Sequence, residues 1–360
     1  MKIQKTCKYT KGEINRAGQQ LLDKQHTAYA EVKSVLDNWR ACHIAPLNSF
    51  QKSLRLKLTK LDDNALVSQR LKRTQSILAK LERNPQMLLA RMQDIGGIRA
   101  VTENMQKLRE LQAAYKKGTR AFSVVQGGKD YINDPKLSGH RGVHLIFKCN
   151  NGFSIELQVR TQIQHAWATA VETMGTFLDY SLKSSEGPDE WLNFFALAGS
   201  AFAILESTPR IPGQENLSDQ QTFEKLLDIE KRLDVLNKLR GFRVVARHIS
   251  NDKKKGRYHL ITLNLELMRA NIQSYGGSDI DIASAEYSRV EAEISSGRKL
   301  QVVLVSSESI NALRKAYPSY FLDAELFSKQ VTVIRKLVER MKRGYIPARR
   351  SSRTIRNSKE

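Results

Sequence analysis

Residues 139–161 constrain this chain more than any other stretch. Gly139-His140-Arg141-Gly142-Val143-His144-Leu145-Ile146-Phe147 leads to Asn150-Asn151-Gly152, and the chain returns as Phe153-Ser154-Ile155-Glu156-Leu157-Gln158-Val159-Arg160-Thr161. Two runs of alternating character about an asparagine-glycine turn predict a β-hairpin. Alternate side chains of a strand share a face. Ile155, Leu157 and Val159 therefore point one way, and Glu156, Gln158 and Arg160 the other. A carboxylate, an amide and a guanidinium in one row are costly to bury without compensation. A metal ion carrying a polyphosphate would supply it.

The charge balance points the same way. Against 37 Asp and Glu stand 59 Lys and Arg, a formal net charge of +22 over 360 residues. Such a field favours polyanions: nucleotides, RNA, DNA or an acidic protein. A basic surface that binds nothing is the plain alternative. Cys7, Cys42 and Cys149 lack metal-ligand spacing, which argues against zinc and against a disulfide framework. The N-terminus is basic without an apolar core, and no apolar run nears the roughly 20 residues of a bilayer span. The expectation is a cytoplasmic protein with no membrane partner.

Apolar spacing predicts helices over 11–40, from Pro46, and from Ala65 to Arg83, the last entered through Asp62-Asp63-Asn64 and closed by Asn84-Pro85. Strands follow at Ile98–Thr102 and Phe122–Val125 with a helix between them, then the hairpin, then helices over Gln162–Leu182 and 190–205. Ser207–Ser218, with two prolines and a glycine, reads as a linker. A helix over Phe223–Arg240, a strand over Phe242–Ile249, strands at 257–264 and 268–275, a helix over 278–296, a strand at 300–305 and helices near 308 and 322 predict a second α/β unit. The basic, serine-rich tail reads as disordered. The division expected is 1–62 N-terminal helices, 63–206 first α/β domain, 207–222 linker, 223–342 second domain and 343–360 tail.

Several clusters suit phosphate chemistry. On a helix over 65–83, Lys72, Ser76, Lys80 and Arg83 form one stripe, and a stripe of cations with a hydroxyl can grip a triphosphate. On spacing alone it reads more readily as a solvated helix face. Asp94-Ile95-Gly96-Gly97-Ile98-Arg99 sets a carboxylate at the mouth of an apolar strand beside two glycines that allow close approach of a ligand. Magnesium prefers one or two carboxylates plus phosphate oxygens, so Asp94 suits it; a turn aspartate capping the strand is equally consistent. The loop from Asp130-Tyr131 to Pro135-Lys136 precedes Ser138-Gly139-His140-Arg141, and rings there suit stacking on a base. A satisfied structural histidine is the commoner fate of His144 and His165, and Trp167 reads as core.

Taken in order, these pieces are Arg70-x-Lys72-x-x-x-Ser76 with Lys80 and Arg83, Asp94-x-x-Gly97-x-Arg99, Asp130-Tyr131-Ile132-x-x-Pro135-Lys136, Gly139-x-Arg141-x-x-His144, Glu156-x-Gln158-x-Arg160-Thr161 and His165-x-Trp167-Ala168. Over about residues 65–185 the chain resembles the synthetase domain of the RelA/SpoT alarmone family. The resemblance implies an α/β, nucleotidyltransferase-like fold, a mixed sheet with flanking helices, here with N-terminal helices and a second small α/β domain. It implies transfer of pyrophosphate from ATP to the ribose 3′-hydroxyl of GDP or GTP, releasing AMP. By position Arg70, Lys72, Ser76, Lys80 and Arg83 would meet ATP. Asp94 and Glu156 would bind Mg2+, with Glu156 also the base. Arg160 and His144 complete the catalytic set, and Lys136, His140, Arg141, His144 and Gln158 would meet the acceptor.

Two departures bear on the acceptor. The family's loop carries a base-stacking tyrosine where this chain has His140, and a serine where it has Gly142. No His-Asp dipeptide occurs, so the metal-dependent hydrolase of the long family members is expected to be absent. The net charge keeps open a second reading, toxin-like pyrophosphorylation of the tRNA 3′ end or of an adenosine nucleotide, within a toxin-antitoxin setting. A third is an inactive nucleotide- or RNA-binding module. Oligomeric state and the role of residues 223–342 are left open by the sequence.

Overall fold

The structure is a computed structural model and describes residues 7–23, 28–116, 122–178, 180–245, 258–267, 269–306 and 324–344. The elements are α1 (Lys11–Gln20), α2 (Tyr29–Cys42), α3 (Ile44–Leu61), β1 (Leu66–Leu71), α4 (Thr74–Arg83), β2 (Gly96–Thr102), α5 (Met105–Tyr115), β3 (Phe122–Asp130), β4 (Val143–Cys149), β5 (Ser154–Thr161), α6 (Gln162–Leu178), α7 (Asp189–Leu205), α8 (Asp219–Leu233), α9 (Val235–Val245), β6 (Tyr258–Asn264), β7 (Arg269–Tyr275), α10 (Ile280–Ser295), β8 (Leu300–Ser306) and α11 (Glu325–Lys342). Two of the helices begin with capping boxes written in the sequence: Thr10 with Glu13 on α1, and Ser218 with Gln221 on α8.

The strands form one mixed eight-stranded sheet in the order β3-β4-β5-β2-β1-β8-β6-β7. The expected hairpin is present: β4 and β5 pair antiparallel, with Leu145 opposite Leu157 and His144 opposite Gln158. Gly152 closes the turn at φ +85°, a conformation that favours glycine. Strand β2 runs parallel to β5, and β1 runs antiparallel to β2.

The chain packs as two compact units that interleave along the sequence. One comprises Met1–Lys129, Val143–Gln162 and Arg243–Leu322; the other comprises Asp130–Gly142, Ile163–Phe242 and Asp323–Glu360. The linear division expected from the sequence differs from this. Strands β6, β7 and β8 do not build a sheet of their own, because β8 pairs antiparallel with β1 and continues the first sheet. Residues 207–218 are tied into the second unit: Ile211 is buried, and Arg210 donates to Leu217 O at 2.6 Å and Thr222 Oγ1 at 2.7 Å.

Within the first unit, α1, α2 and α4 bury Ile14, Leu21, Leu36, Trp39, Ile77 and Leu81 together. Helix α3, with Pro46 in its first turn, buries Phe50, whose ring meets those of Tyr115, Phe122 and Phe147 at 4.8–5.7 Å. In the second unit, helices α6 to α9 and α11 enclose an apolar core that includes Phe194, Phe202, Phe223 and Phe327.

Several expectations need correction. Residues 66–71 form β1, so the helix begins only at Thr74. The helix expected over 223–240 is interrupted at Asp234, which adopts a left-handed φ of +52°, tolerable for aspartate, and starts anew as α9. Residues 242–245 are accordingly helical rather than strand. Cys7 and Cys42 form a disulfide with Cα atoms 5.9 Å apart, contrary to the reading of the cysteines, which saw no spacing pattern because the bridge joins the segment before α1 to the end of α2. Cys149 is free and buried, and burial pushes its thiol up to about 11. Residues 246–249, the helices near 308 and 322 in part, and the tail from 345 lie outside the described residues. No described helix is long and apolar enough to cross a membrane.

Candidate active site

The strand register builds one polar face across four strands of the first unit. Arg70 of β1 lies opposite Gly97 of β2, which lies opposite Glu156 of β5. One step along, Ser68, Arg99, Gln158 and His144 line up across β1, β2, β5 and β4. Residues opposite one another in register share a sheet face. Ser68, Arg70, Gly97, Arg99, His144, Glu156, Gln158 and Arg160 thus look the same way, while Ile98, Ile155, Leu157 and Val159 fill the other side. Gly97, between two long side chains, leaves that row open.

Glu156 sits at the centre of this face. His144 Nδ1 lies 2.8 Å from its Oε1, and Gln158 Nε2 donates to its Oε2 at 2.8 Å. Arg160, 1% exposed, donates through Nη2 to Gln158 Oε1 at 3.3 Å and so steadies the amide. Burial by itself would raise the Glu156 pKa. The bond and charge of His144, the Gln158 bond and the charge of Lys72 outweigh that and hold it down to about 2. Glu156 is a carboxylate anion at neutral pH.

Lys72 links this row to the second carboxylate. Its ammonium pairs with Asp94 Oδ2 at 2.9 Å, as does that of Lys80. Lys72 leaves β1 just before α4, and its backbone N–H donates to Ile95 O at 2.8 Å. It therefore reaches Asp94 from a strand end, while Lys80 reaches it from the helix. The single helical stripe expected from spacing is two pieces of structure converging on one acid. Ser76 and Arg83 lie exposed on α4, and Arg83 donates through Nε to Ala79 O at 3.0 Å.

Asp94 Oδ1 is buried without a hydrogen-bond partner. A buried acceptor left open this way suits a cation, and carboxylates such as those of Asp94 and Glu156 are hard-oxygen ligands of the kind magnesium takes. Among the described residues no group of three or more His, Cys, Asp or Glu gathers as a self-sufficient metal site. The donor set fits a metal brought with a phosphate substrate.

Lys136, His140 and Arg141 belong to the other unit. Arg141 is 3% exposed, pairs with Glu206 at 3.1 Å and donates to Thr208 Oγ1. His140 is buried, edge-on to Tyr131 at 5.6 Å and to Trp167 at 6.3 Å. Lys136 Nζ lies 4.4 Å from the Tyr131 ring centre. The loop's conformation rests on Gly139, with φ +92°, where a Cβ would meet the Trp167 ring at 2.7 Å and Phe195 O at 2.8 Å. Trp167 is core, as expected, and its Nε1 donates to Phe195 O at 2.8 Å. Ser68 and Arg99 also lie on this face; the sequence reading named Arg99 in the Gly97 motif but gave it no role in the site, and did not single out Ser68.

Residues 69–177 match the family model described as "Region found in RelA / SpoT proteins". Two uncharacterized proteins, Rv1366 of Mycobacterium tuberculosis and Mb1401 of Mycobacterium bovis, are each 29% identical over 125 residues, 35% of this chain and 45% of theirs. The chain thus spans less than half the length of the curated relatives it matches. Among solved structures, small alarmone synthetase 1 from Bacillus subtilis bound to its product pppGpp is 24% identical, with TM-score 0.38, over 47% of this chain and 93% of that one. A GTP pyrophosphokinase family protein from Streptococcus pneumoniae is 21% identical, with TM-score 0.38, over 54% of this chain and 93% of that one.

Proposed function

We propose that residues 69–177, which match the region found in RelA/SpoT proteins, belong to a synthetase domain that transfers pyrophosphate from ATP to the ribose 3′-hydroxyl of GDP or GTP. The observation that carries the reading is a pair of carboxylates each engaged by its own donors, Asp94 by the ammonium groups of Lys72 and Lys80 at 2.9 Å and Glu156 by His144 and Gln158 at 2.8 Å. In the reaction the acceptor oxygen attacks the β-phosphorus of ATP, the bond from that phosphorus to the bridging oxygen of the α-phosphate breaks, and AMP leaves. Such a step depends on positioning and charge more than on covalent help. Asp94 and Glu156 are the residues that would hold Mg2+, which when bound neutralises phosphate charge.

The residues divide by chemistry. Arg70, Lys72, Lys80 and Arg83 supply cations for the ATP phosphates, with Ser76 as a hydroxyl partner. A carboxylate held near 2 takes a proton poorly. Glu156 therefore acts first as a charge and a metal ligand, and the acceptor's proton passes to the His144–Glu156 pair as a unit. Arg160 fixes Gln158 beside them. Lys136, His140 and Arg141 enter as acceptor-side residues on the family resemblance. The burial of His140 and the engagement of Arg141 by Glu206 support a role in shaping the loop.

Purified protein given ATP labelled in its β- and γ-phosphates, with GDP, GTP, an adenosine nucleotide or tRNA, tests the reading. Label on guanosine nucleotide supports it. Label confined to tRNA or to adenosine nucleotide supports instead the toxin-like alternative, which the net charge of +22 favours. Label on none, with Mg2+ present, leaves a binding module. Residues 223–342 are proposed to regulate the domain or contribute to recognition.

A further inference from the structure

Helix α4 has no cap of its own. The residue at its N-terminal boundary is Arg73, whose side chain makes no capping bond. A helix start leaves backbone N–H groups without intrahelical partners and gathers partial positive charge there. Both needs are met from 217 residues away. Glu291 of α10 accepts from Thr74 N at 3.1 Å through Oε1 and from Thr74 Oγ1 at 2.8 Å through Oε2.

The carboxylate is itself fixed from every side. Arg40 Nη1 donates to Glu291 Oε2 at 3.0 Å and to Thr74 Oγ1 at 3.1 Å, and Tyr287 OH donates to Glu291 Oε1 at 2.8 Å. The Arg40 guanidinium lies 4.9 Å from the Tyr287 ring centre. Arg40 Nε also donates to Lys72 O at 3.0 Å. Arg40 and Glu291 are 2% and 7% exposed. Burial by itself would raise the Glu291 pKa, but Arg40, Thr74 and Tyr287 keep it below the usual range. The network thus grips the turn Lys72-Arg73-Thr74 by its backbone on both sides of Arg73. That turn aims Lys72, and the helix it opens aims Lys80, at Asp94.

We propose that Glu291 is a positioning residue for ATP, holding the Lys72 turn and the start of α4 in register for the donor phosphates. The segment from β6 to β8 is then a working part of the donor site and not an appendage. This rests on the reading that Lys72 and Lys80 meet ATP. A positioning group of this kind acts through other residues, so its loss should weaken donor binding selectively.

The full-length protein and its Glu291→Gln, Glu291→Asp and Arg289→Ala variants are to be compared by steady-state kinetics, by calorimetric binding of a non-hydrolysable ATP analogue, and by thermal melting. Glu291→Gln should raise the ATP KM and the analogue Kd about tenfold and leave the acceptor KM within about twofold, with Glu291→Asp intermediate. Arg289, 59% exposed on the same helix, should change neither. A Glu291→Gln protein that melts earlier but binds the analogue as the wild type does would overturn the proposal, as would equal shifts in donor and acceptor constants. Should Glu291→Gln fail to fold, the Glu291→Asp Kd decides. If the wild type binds the analogue but transfers to no acceptor, the transfer reading fails while the Kd comparison still judges Glu291. If it binds no analogue, both fail.

Discussion

Replacing Glu156 with glutamine should flatten the acid limb of this protein's stability. The Glu156 side chain is 15% exposed, and its neighbours bring the carboxyl from an ordinary 4.5 down to about 2. At ~1.36 kcal/mol per pH unit this corresponds to about 3 kcal/mol of folding free energy. The folded carboxylate binds its proton less tightly than the unfolded one. Its stabilisation is therefore complete above pH 4.5 and lost as pH falls through about 2. Glutamine has no proton to gain, so the stability gap between the two proteins should close by most of that 3 kcal/mol between about pH 6 and pH 2. Urea unfolding of both proteins at steps of pH measures the gap, and other acids titrate in both and cancel in the difference. A gap that stays constant across this range would refute the argument that His144, Gln158 and Lys72 together favour the ionised form.

Other perturbations separate chemistry from packing. Asp94→Asn removes the charge that Lys72 and Lys80 share and one proposed metal ligand, so transfer should fall by about 100-fold or more and the Mg2+ requirement rise; near-normal turnover at ordinary Mg2+ would count against that role. Gly139→Ala combines a left-handed φ with a Cβ 2.7 Å from Trp167 and should lose more than about 2 kcal/mol by chemical unfolding. Phe327→Ala, at a fully buried ring near Phe194, Phe195 and Phe202, should cost about 3–5 kcal/mol; a change below about 1 would mean that this helical core repacks freely.

The legible parts of the fold were those with local, alternating signals. The β4–β5 hairpin, β2, α5 and the run from β6 to β8 follow from patterns a few residues long. Strand β1 was hidden because Ser68, Gln69 and Arg70 interrupt its apolar residues, and Leu71 continues smoothly into the helical spacing of α4. Its polarity on one side is a property of the site it faces. Glu156, Gln158 and Arg160 could be placed on one face by period two alone, and Asp94 could be suspected beside its glycines. Their partners could not: Lys72 meets Asp94 because β1 happens to end beside the β2 entrance, a long-range pairing with no local signature.

By itself, then, the sequence determined the row of polar groups on the hairpin, the net charge of +22 and the local run of elements from β2 to α7, because periodicity and composition act at short range. The tertiary structure alone decided that β8 joins β1 in one sheet, that Lys72 and Lys80 converge on Asp94, and that a glutamate 217 residues away caps α4. Each of these depends on which buried polar groups find partners once distant strands have closed, and no local pattern encodes that.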